Sequence, residues 1–297
     1  MHSKEVFTLY EQIRDVLPQC ESLKQSLHVN HTEALLEHAR CFFLDAFGVL
    51  NVGQKAVCGA HRFLTLLREN NLPFLILSNS ASVPKTHLWE RFIEMGFSIE
   101  PHEIVTSREV LWSLLKPDHR HWGIIGTRGG LEIPLRTAYP DEEMFWESEQ
   151  FLFLGTQEWN DALQVRWKNS LLSNPRDIWV TNPDLSAPRG NGTFSKEPGF
   201  YTLLEPRHLF NECTIVGKPF ASVFSHALCI AKKRWGIASH DVMMVGDTLH
   251  TDILGANAIG MKSALIEGYG FFKGLDPLPF MESSGIFPDI RLAHYTQ

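Results

Sequence analysis

Cys41-Phe42-Phe43-Leu44-Asp45-Ala46-Phe47-Gly48-Val49-Leu50 reads as a short buried strand that ends in a carboxylate and turns at a glycine. A continuous apolar run of this length suits a strand covered on both faces, as in a parallel sheet. The pattern recurs three times. Phe74-Leu75-Ile76-Leu77 stops at Ser78-Asn79, Thr214-Ile215-Val216 at Gly217-Lys218, and Val242-Met243-Met244-Val245 at Gly246-Asp247. Helical patterns separate the four runs, so the fold class is α/β with a doubly wound parallel sheet. In such a sheet ligands bind beyond the carboxyl ends of the strands. Asp45, Ser78, Asn79, Lys218 and Asp247 are therefore expected to meet at one rim.

The stretch between Ser78 and Lys218 is too long for a single crossover. It carries its own strand-like runs: Gly123-Ile124-Ile125 before Gly126, Phe151-Leu152-Phe153-Leu154 before Gly155, and Ile178-Trp179-Val180 before Thr181. This predicts a second α/β domain over residues 84–212, inserted into a core made of 41–83 and 213–297. Two unequal domains also suit a chain of 297 residues, which exceeds the size at which one core usually stops growing. Residues 1–40 read as a helical extension packing on the core, with Val6, Leu9, Ile13 and Leu17 at helical spacing and Leu35, Leu36 and Ala39 in a second stretch. The tail after Gly268 is rich in Phe, Gly and Pro and is expected to wrap the core as loops and one short strand.

Composition narrows the function classes. Apolar residues at 44% and charged residues at 21% mark a globular chain. A net charge of −7 without a basic run argues against nucleic acid as a partner. No window approaches 18 apolar residues, which excludes an ordinary membrane-spanning helix. Met1-His2-Ser3-Lys4-Glu5-Val6 lacks the layout of a secretion signal. Cys20, Cys41, Cys58, Cys213 and Cys229 are odd in number and far apart, as expected for reduced thiols in a cytoplasmic protein rather than a disulfide or zinc framework.

Four polar groups carry the chemistry. Asp45 offers a carboxylate at a turn. Ser78-Asn79 offers a hydroxyl and backbone N–H groups where a helix can start, a natural anion site. Lys218 offers a cation, and Gly246-Asp247-Thr248-Leu249-His250-Thr251-Asp252 offers two carboxylates suited to a hard cation. In this order and at these spacings the chain resembles the haloacid dehalogenase (HAD) superfamily from residue 41 to about residue 290. It looks closest to subfamily IIA, the NagD-like phosphatases with an α/β C2-type cap inserted between the second and third motifs. Val105-Thr106-Ser107, Gly126 to Leu131, and Thr181-Asn182-Pro183-Asp184 followed by Pro188, Gly192, Pro198 and Gly199 strengthen the resemblance.

The resemblance implies a magnesium-dependent phosphohydrolase with a Rossmann-like core, acting on a small phosphorylated metabolite such as a sugar phosphate. Asp45 would be the nucleophile and a Mg2+ ligand, the backbone carbonyl of Phe47 a second ligand, and Asp247 a third. Ser78 and the Asn79 amide would hold phosphate oxygens, with Asn182 at the substrate from the cap. Lys218 would neutralise Asp45 and the phosphoryl group, and Asp252 would orient Lys218 or a metal-bound water. A homodimer through the cap is a further expectation, as is substrate choice by the cap.

One position departs from the pattern. Phosphatases of the superfamily carry a second Asp two residues after the nucleophile, and this chain has Phe47 there. The backbone role survives the change, but a phenyl ring cannot carry a proton. General acid–base help is worth about 10²–10⁴ in rate. Three readings follow: a phosphatase in which another group, such as His250 or a cap residue, supplies the proton; a catalytically impaired phosphate-binding or regulatory protein; or a dehalogenase-like hydrolase, against which the Asp247/Asp252 pair argues. Taken alone, His250 reads as an exposed loop histidine, and His119 and His121 beside Arg120 as a polar loop. The tryptophans in or near the insertion (Trp89, Trp112, Trp122, Trp146, Trp159, Trp167 and Trp179) read as packing a core.

Overall fold

The run Cys41–Asp45 is an interior strand of a seven-stranded sheet, every residue of it buried. The computed structural model describes residues 1–20, 25–116, 118–187, 194–210 and 213–296; Pro188 and Gly192 lie outside the described residues. In chain order the strands are β1 (Leu27–Val29), β2 (Cys41–Asp45), a small hairpin of β3 (Asn51–Val52) and β4 (Lys55–Ala56), β5 (Phe74–Ser78) and β6 (Ile104–Thr106). Then come β7 (His121–Ile125), β8 (Arg136–Ala138), β9 (Gln150–Phe153), β10 (Asp177–Val180) and β11 (Cys213–Ile215), and finally β12 (Val242–Gly246), β13 (Lys262–Ile266) and β14 (Ile290–Leu292).

The core sheet runs β1-β14-β13-β12-β2-β5-β6, all pairs parallel. From β2 the chain winds one way to β5 and β6. It later resumes at β12 on the other side of β2 and winds away through β13 and β14. β2 and β12 thus flank the point where the winding reverses, and their carboxyl ends open a crevice there. Alternate residues of the central strands face opposite layers. Phe42, Leu44, Ile76, Met243 and Val245 pack with Phe63, Leu67 and Phe92 on one side. Cys41, Phe43, Leu75, Leu77 and Met244 pack with Val223, Phe224 and Ala227 on the other. Each fully buried Leu or Phe contributes about 1.5–3 kcal/mol of transfer free energy, so the rim sits on a firmly packed core.

The second sheet runs β11-β10-β9-β7-β8, again parallel. Trp159 and Trp167 are buried between it and the helix Asp161–Ser173, with Phe145, Phe151 and Phe153, and Trp122 is buried on the side that meets the core, so these three tryptophans are packing residues.

Four expectations are corrected. Thr214-Ile215-Val216 is not a core strand: Cys213–Ile215 pairs with β10 at the edge of the second sheet, where Thr214 is exposed, and only then does the chain cross to the core. Ile104–Thr106 belongs to the core sheet beside β5, and the helix Ser107–Leu114 packs Val110 and Leu111 on the core face. The second sheet is therefore built from residues 121–215, not from an insertion of 84–212. Nothing local says which sheet a short apolar run will join. Residues 1–40 are not wholly helical either, since Leu27–Val29 forms the edge strand beside β14. The tail adds the helix Leu278–Ser284 to its one strand.

The N-terminal helix Ser3–Gln12 bridges the two sheets. Val6, Phe7, Tyr10, Ile13 and Leu17 bury against Leu249, Ile253, Leu265 and Phe272 of the core and against Leu185 of the second unit. The Tyr10 hydroxyl accepts a hydrogen bond from the Leu185 N–H at 3.1 Å. No helix among the described residues is long and apolar enough to cross a membrane, and all five cysteines are unpaired thiols.

Candidate active site

Asp45 ends β2, Ser78 ends β5, and Gly246-Asp247 ends β12, so three adjacent parallel strands deliver their polar termini to one rim. Lys218 comes from the crossing segment after β11 and reaches the same point. Its Nζ donates to Asp45 Oδ1 at 2.5 Å and to Asp252 Oδ1 at 2.6 Å, with all three side chains buried. One carboxylate oxygen from each of Asp45, Asp247 and Asp252 lies within 4.8 Å of the other two. The sequence-based convergence of Asp45, Ser78, Asn79, Lys218 and Asp247 is thus what the structure contains, around a cleft of about 280 Å³ that these residues line together with Phe47, Asn182 and Asp184.

Each group is held by backbone or by a neighbour. Asp247 Oδ1 accepts from Thr248 Oγ1 at 3.0 Å and its Oδ2 from the Phe271 N–H at 2.7 Å. Asp252 Oδ2 accepts from the Thr248 N–H at 3.3 Å. Asn79 clamps Lys218: its Oδ1 accepts from the Lys218 N–H at 2.7 Å, and its Nδ2 donates to the Lys218 carbonyl at 3.0 Å and to Asp184 Oδ1 at 2.9 Å. The Asn79 side chain is therefore engaged in positioning, which leaves its backbone for a ligand. Asn182 reaches the cleft wall, but its carboxamide is turned inward, accepting from the Asp184 N–H at 3.1 Å and donating to Glu197 Oε2 at 3.1 Å. Ser78 Oγ accepts from the Ser80 N–H at 3.2 Å.

The electrostatics are unbalanced. Burial alone would push the Lys218 ammonium toward neutrality, but the adjacent Asp252 and Asp45 outweigh it and hold the proton more tightly than usual. Three buried carboxylates face that one ammonium. Burial and mutual repulsion push Asp247 well above the ordinary carboxylate range, and burial raises Asp45 against the pull of Lys218. An all-oxygen donor set carrying surplus negative charge fits a hard divalent cation such as magnesium. The residues that could hold it are Asp45, the Phe47 carbonyl and Asp247.

Gly48 shows how tightly this cluster is built. Its φ is +81°, and a Cβ there would stand 2.2 Å from Asp247 Oδ2. Gly48→Ala is expected to cost about 1–2 kcal/mol of left-handed strain and to push Asp247 aside. Titrating activity with magnesium should show weaker activation in this variant; an unchanged curve would mean Asp247 has room to move.

Sequence reasoning misplaced one residue and passed over two. His250 is neither exposed nor in the cleft: it is buried, stacks on Tyr10 with ring centroids 4.9 Å apart, and its Nε2 lies 2.6 Å from Glu11 Oε1 on the N-terminal helix. It cannot stand in for a missing acid at position 47. Tyr10 lines the cleft from the extension, outside every motif. Asp184 closes the run Thr181-Asn182-Pro183-Asp184, in which only Asn182 is a sequence-based candidate, yet it lines the cleft beside Asn79.

Comparison with known proteins agrees with this architecture. A family model described as haloacid dehalogenase-like hydrolase matches residues 42–137, and a HAD-hydrolase-like model matches 215–273; together they span just over half of the chain. An acid sugar phosphatase of Staphylococcus epidermidis is 24% identical over 243 residues, covering 78% of this chain and 88% of the relative. The sugar-phosphatase AraL of Bacillus subtilis is 25% identical over 226 residues, covering 75% and 81%. A possible sugar phosphatase of the HAD superfamily from Cytophaga hutchinsonii has the same fold, with a TM-score of 0.78 at 22% identity over 91% of this chain and 98% of that one.

Proposed function

The chain belongs to the haloacid dehalogenase superfamily of hydrolases, and from that premise we propose that it is a divalent-metal-dependent phosphatase of a small phosphorylated metabolite, with Asp45 as its nucleophile. The observation that carries this reading is the placement of Lys218 Nζ between Asp45 and Asp252, with an Asp247 oxygen within 4.8 Å of an oxygen of each. A carboxylate attacking a phosphate dianion meets charge repulsion, and fixed positive charge around the transferring group offsets it. Lys218, clamped by Asn79, supplies that charge without having to reorganise. Ser78 and the Asn79 N–H receive phosphate oxygens at the end of β5. A magnesium ion bound by Asp45, Asp247 and the Phe47 carbonyl would supply further charge neutralisation and orientation.

Sugar phosphates are the substrate class favoured by the names of the two sequence relatives. The cleft volume suits a ligand of that size. The three-carboxylate cluster favours metal-assisted phosphate chemistry over dehalogenation. Phe47 favours one second reading, a phosphate-binding protein with little turnover, because a phenyl ring at the wall of the cleft replaces a proton carrier.

A panel of aryl, sugar and glycerol phosphates assayed with and without magnesium tests the proposal. Phosphate release that needs the metal is the expected result; magnesium-dependent phosphate binding without release would favour the second reading. Phe47→Asp restores a carboxyl to the nucleophile loop. A gain of up to about 10²–10⁴ on alkyl phosphates is expected if proton transfer limits the rate, and no gain if another group already performs it.

A further inference from the structure

We propose that Asp184, reaching into the cleft from the loop after β10, is the proton donor and acceptor that Phe47 cannot be. The inference rests on the phosphatase reading of the site and names how that site completes its chemistry.

Elimination among the described titratable groups lining the cleft points to this residue. Asp45 and Asp247 belong to the nucleophile and cation cluster. Lys218 is bound to two carboxylates. Both oxygens of Glu197 accept hydrogen bonds, Oε1 from Ser195 and Oε2 from Asn182. The Tyr10 hydroxyl is engaged by the Leu185 N–H, and burial pushes its proton affinity well above the ordinary phenol value. Arg91 is a guanidinium, which does not release a proton at working pH. Asp184 remains.

Its setting suits the task. Asn79 Nδ2 donates to Asp184 Oδ1, and no hydrogen bond to Asp184 Oδ2 is made among the described residues. One carboxyl oxygen is thus anchored and the other is available to carry a proton. The anchor is the same carboxamide that clamps Lys218, so Asp184 is tied to the phosphate-binding corner rather than to the outer cap. Asp45 ends a core strand and Asp184 lies in the loop after β10 of the second sheet, and both line the same cleft. Burial, with Glu197 and Asp252 nearby, raises Asp184 to about 7 against the opposing pull of Lys218 and Asn79, so it can hold a proton near neutrality.

The Asp45 carboxylate oxygen bonds to phosphorus, the bond from phosphorus to the leaving oxygen breaks, and that oxygen takes the proton of Asp184, releasing the alcohol. Asp184, now ionised, then takes a proton from water as the water oxygen bonds to phosphorus. The Asp45–phosphorus bond breaks, and inorganic phosphate leaves with both carboxyl groups restored.

The full-length protein with magnesium is assayed on 4-nitrophenyl phosphate and on glycerol phosphate, with leaving groups of very different acidity. Asp184→Asn keeps the hydrogen-bonding shape and is expected to lose about 10²–10⁴ in kcat on glycerol phosphate with little change in KM. On 4-nitrophenyl phosphate it should give a burst of about one nitrophenolate per site followed by slow turnover, because the first step then needs no acid but the second still lacks its base. Adding Phe47→Asp to Asp184→Asn should recover turnover on both. An equal loss on both substrates without a burst, or a change confined to KM, would assign Asp184 to positioning the cap and overturn the proposal; so would an unaffected variant. Should Asp184→Asn not fold, the wild-type chain decides. Rates across phosphates of graded leaving-group acidity should be nearly level with an internal acid, and a steep dependence would contradict it. A wild-type protein that releases phosphate from neither compound overturns the phosphatase reading itself, a result distinct from failure of Asp184 alone.

Discussion

Asp45→Asn is expected to abolish phosphate release, by roughly 10⁶-fold, the scale on which hydrolases respond to deletion of a nucleophile. The amide keeps the size of the carboxyl group but removes the anion proposed to attack phosphorus. The same substitution should leave the fold intact and raise its stability slightly. In the metal-free protein Asp45 is one of three crowded carboxylates, and burial lifts its proton affinity despite Lys218. Removing an acid that is costly to ionise relieves repulsion. Thermal unfolding without magnesium should therefore show an unchanged or higher midpoint for the inactive variant. A lower midpoint would mean that Asp45 serves packing more than chemistry.

Lys218→Met should act in the opposite direction on stability and in the same direction on activity. The methionine fits the buried path of the lysine stem, but it leaves Asp45 and Asp252 facing each other with no cation. Stripping one partner from a buried charge cluster costs about 3–5 kcal/mol. Denaturant titration should show that loss in the absence of divalent ions, with magnesium recovering part of it by neutralising the same carboxylates. Activity should fall with the loss of fixed charge at the proposed phosphoryl position. A variant as stable as the parent would contradict the electrostatic account of the rim.

The rim was legible in the sequence because its strands are buried on both faces. Phe42–Leu44, Leu75–Leu77 and Met243–Val245 could be read as unbroken apolar runs, and the first polar residue after each had to emerge at the crevice. Sheet membership was not legible. Ile104–Thr106 and Cys213–Ile215 are equally short, yet one pairs with β5 in the core and the other with β10 in the cap. Pairing partners are chosen by the whole chain, not by three residues. Leu27–Val29 was hidden for the same reason, its neighbours on either side being helical.

The walls of the cleft were harder still. Tyr10 and Asp184 meet the site through tertiary contacts, Tyr10 through the Leu185 N–H and Asp184 through Asn79, across 175 and 105 positions of sequence. His250 sits inside a recognisable motif, and its neighbourhood in sequence suggested the crevice. The π-turn over Leu249–Ile253 instead buries it against the Tyr10 and Phe7 rings of the N-terminal helix. That helix is the feature composition said least about. It packs on the core and on Leu185 together, which ties the extension to the position of the cap loop bearing Asp184.

The account as a whole rests on a phosphoryl group passing through Asp45. Stopping turnover of an aryl phosphate by rapid acid quench and weighing the tryptic peptide 41–55, bounded by Arg40 and Lys55, tests this most directly. A phosphoryl mass increment confined to that peptide, absent in Asp45→Asn and present in excess in Asp184→Asn, is the predicted result. Steady phosphate release with the peptide unmodified, and undiminished release by Asp45→Asn, would contradict it.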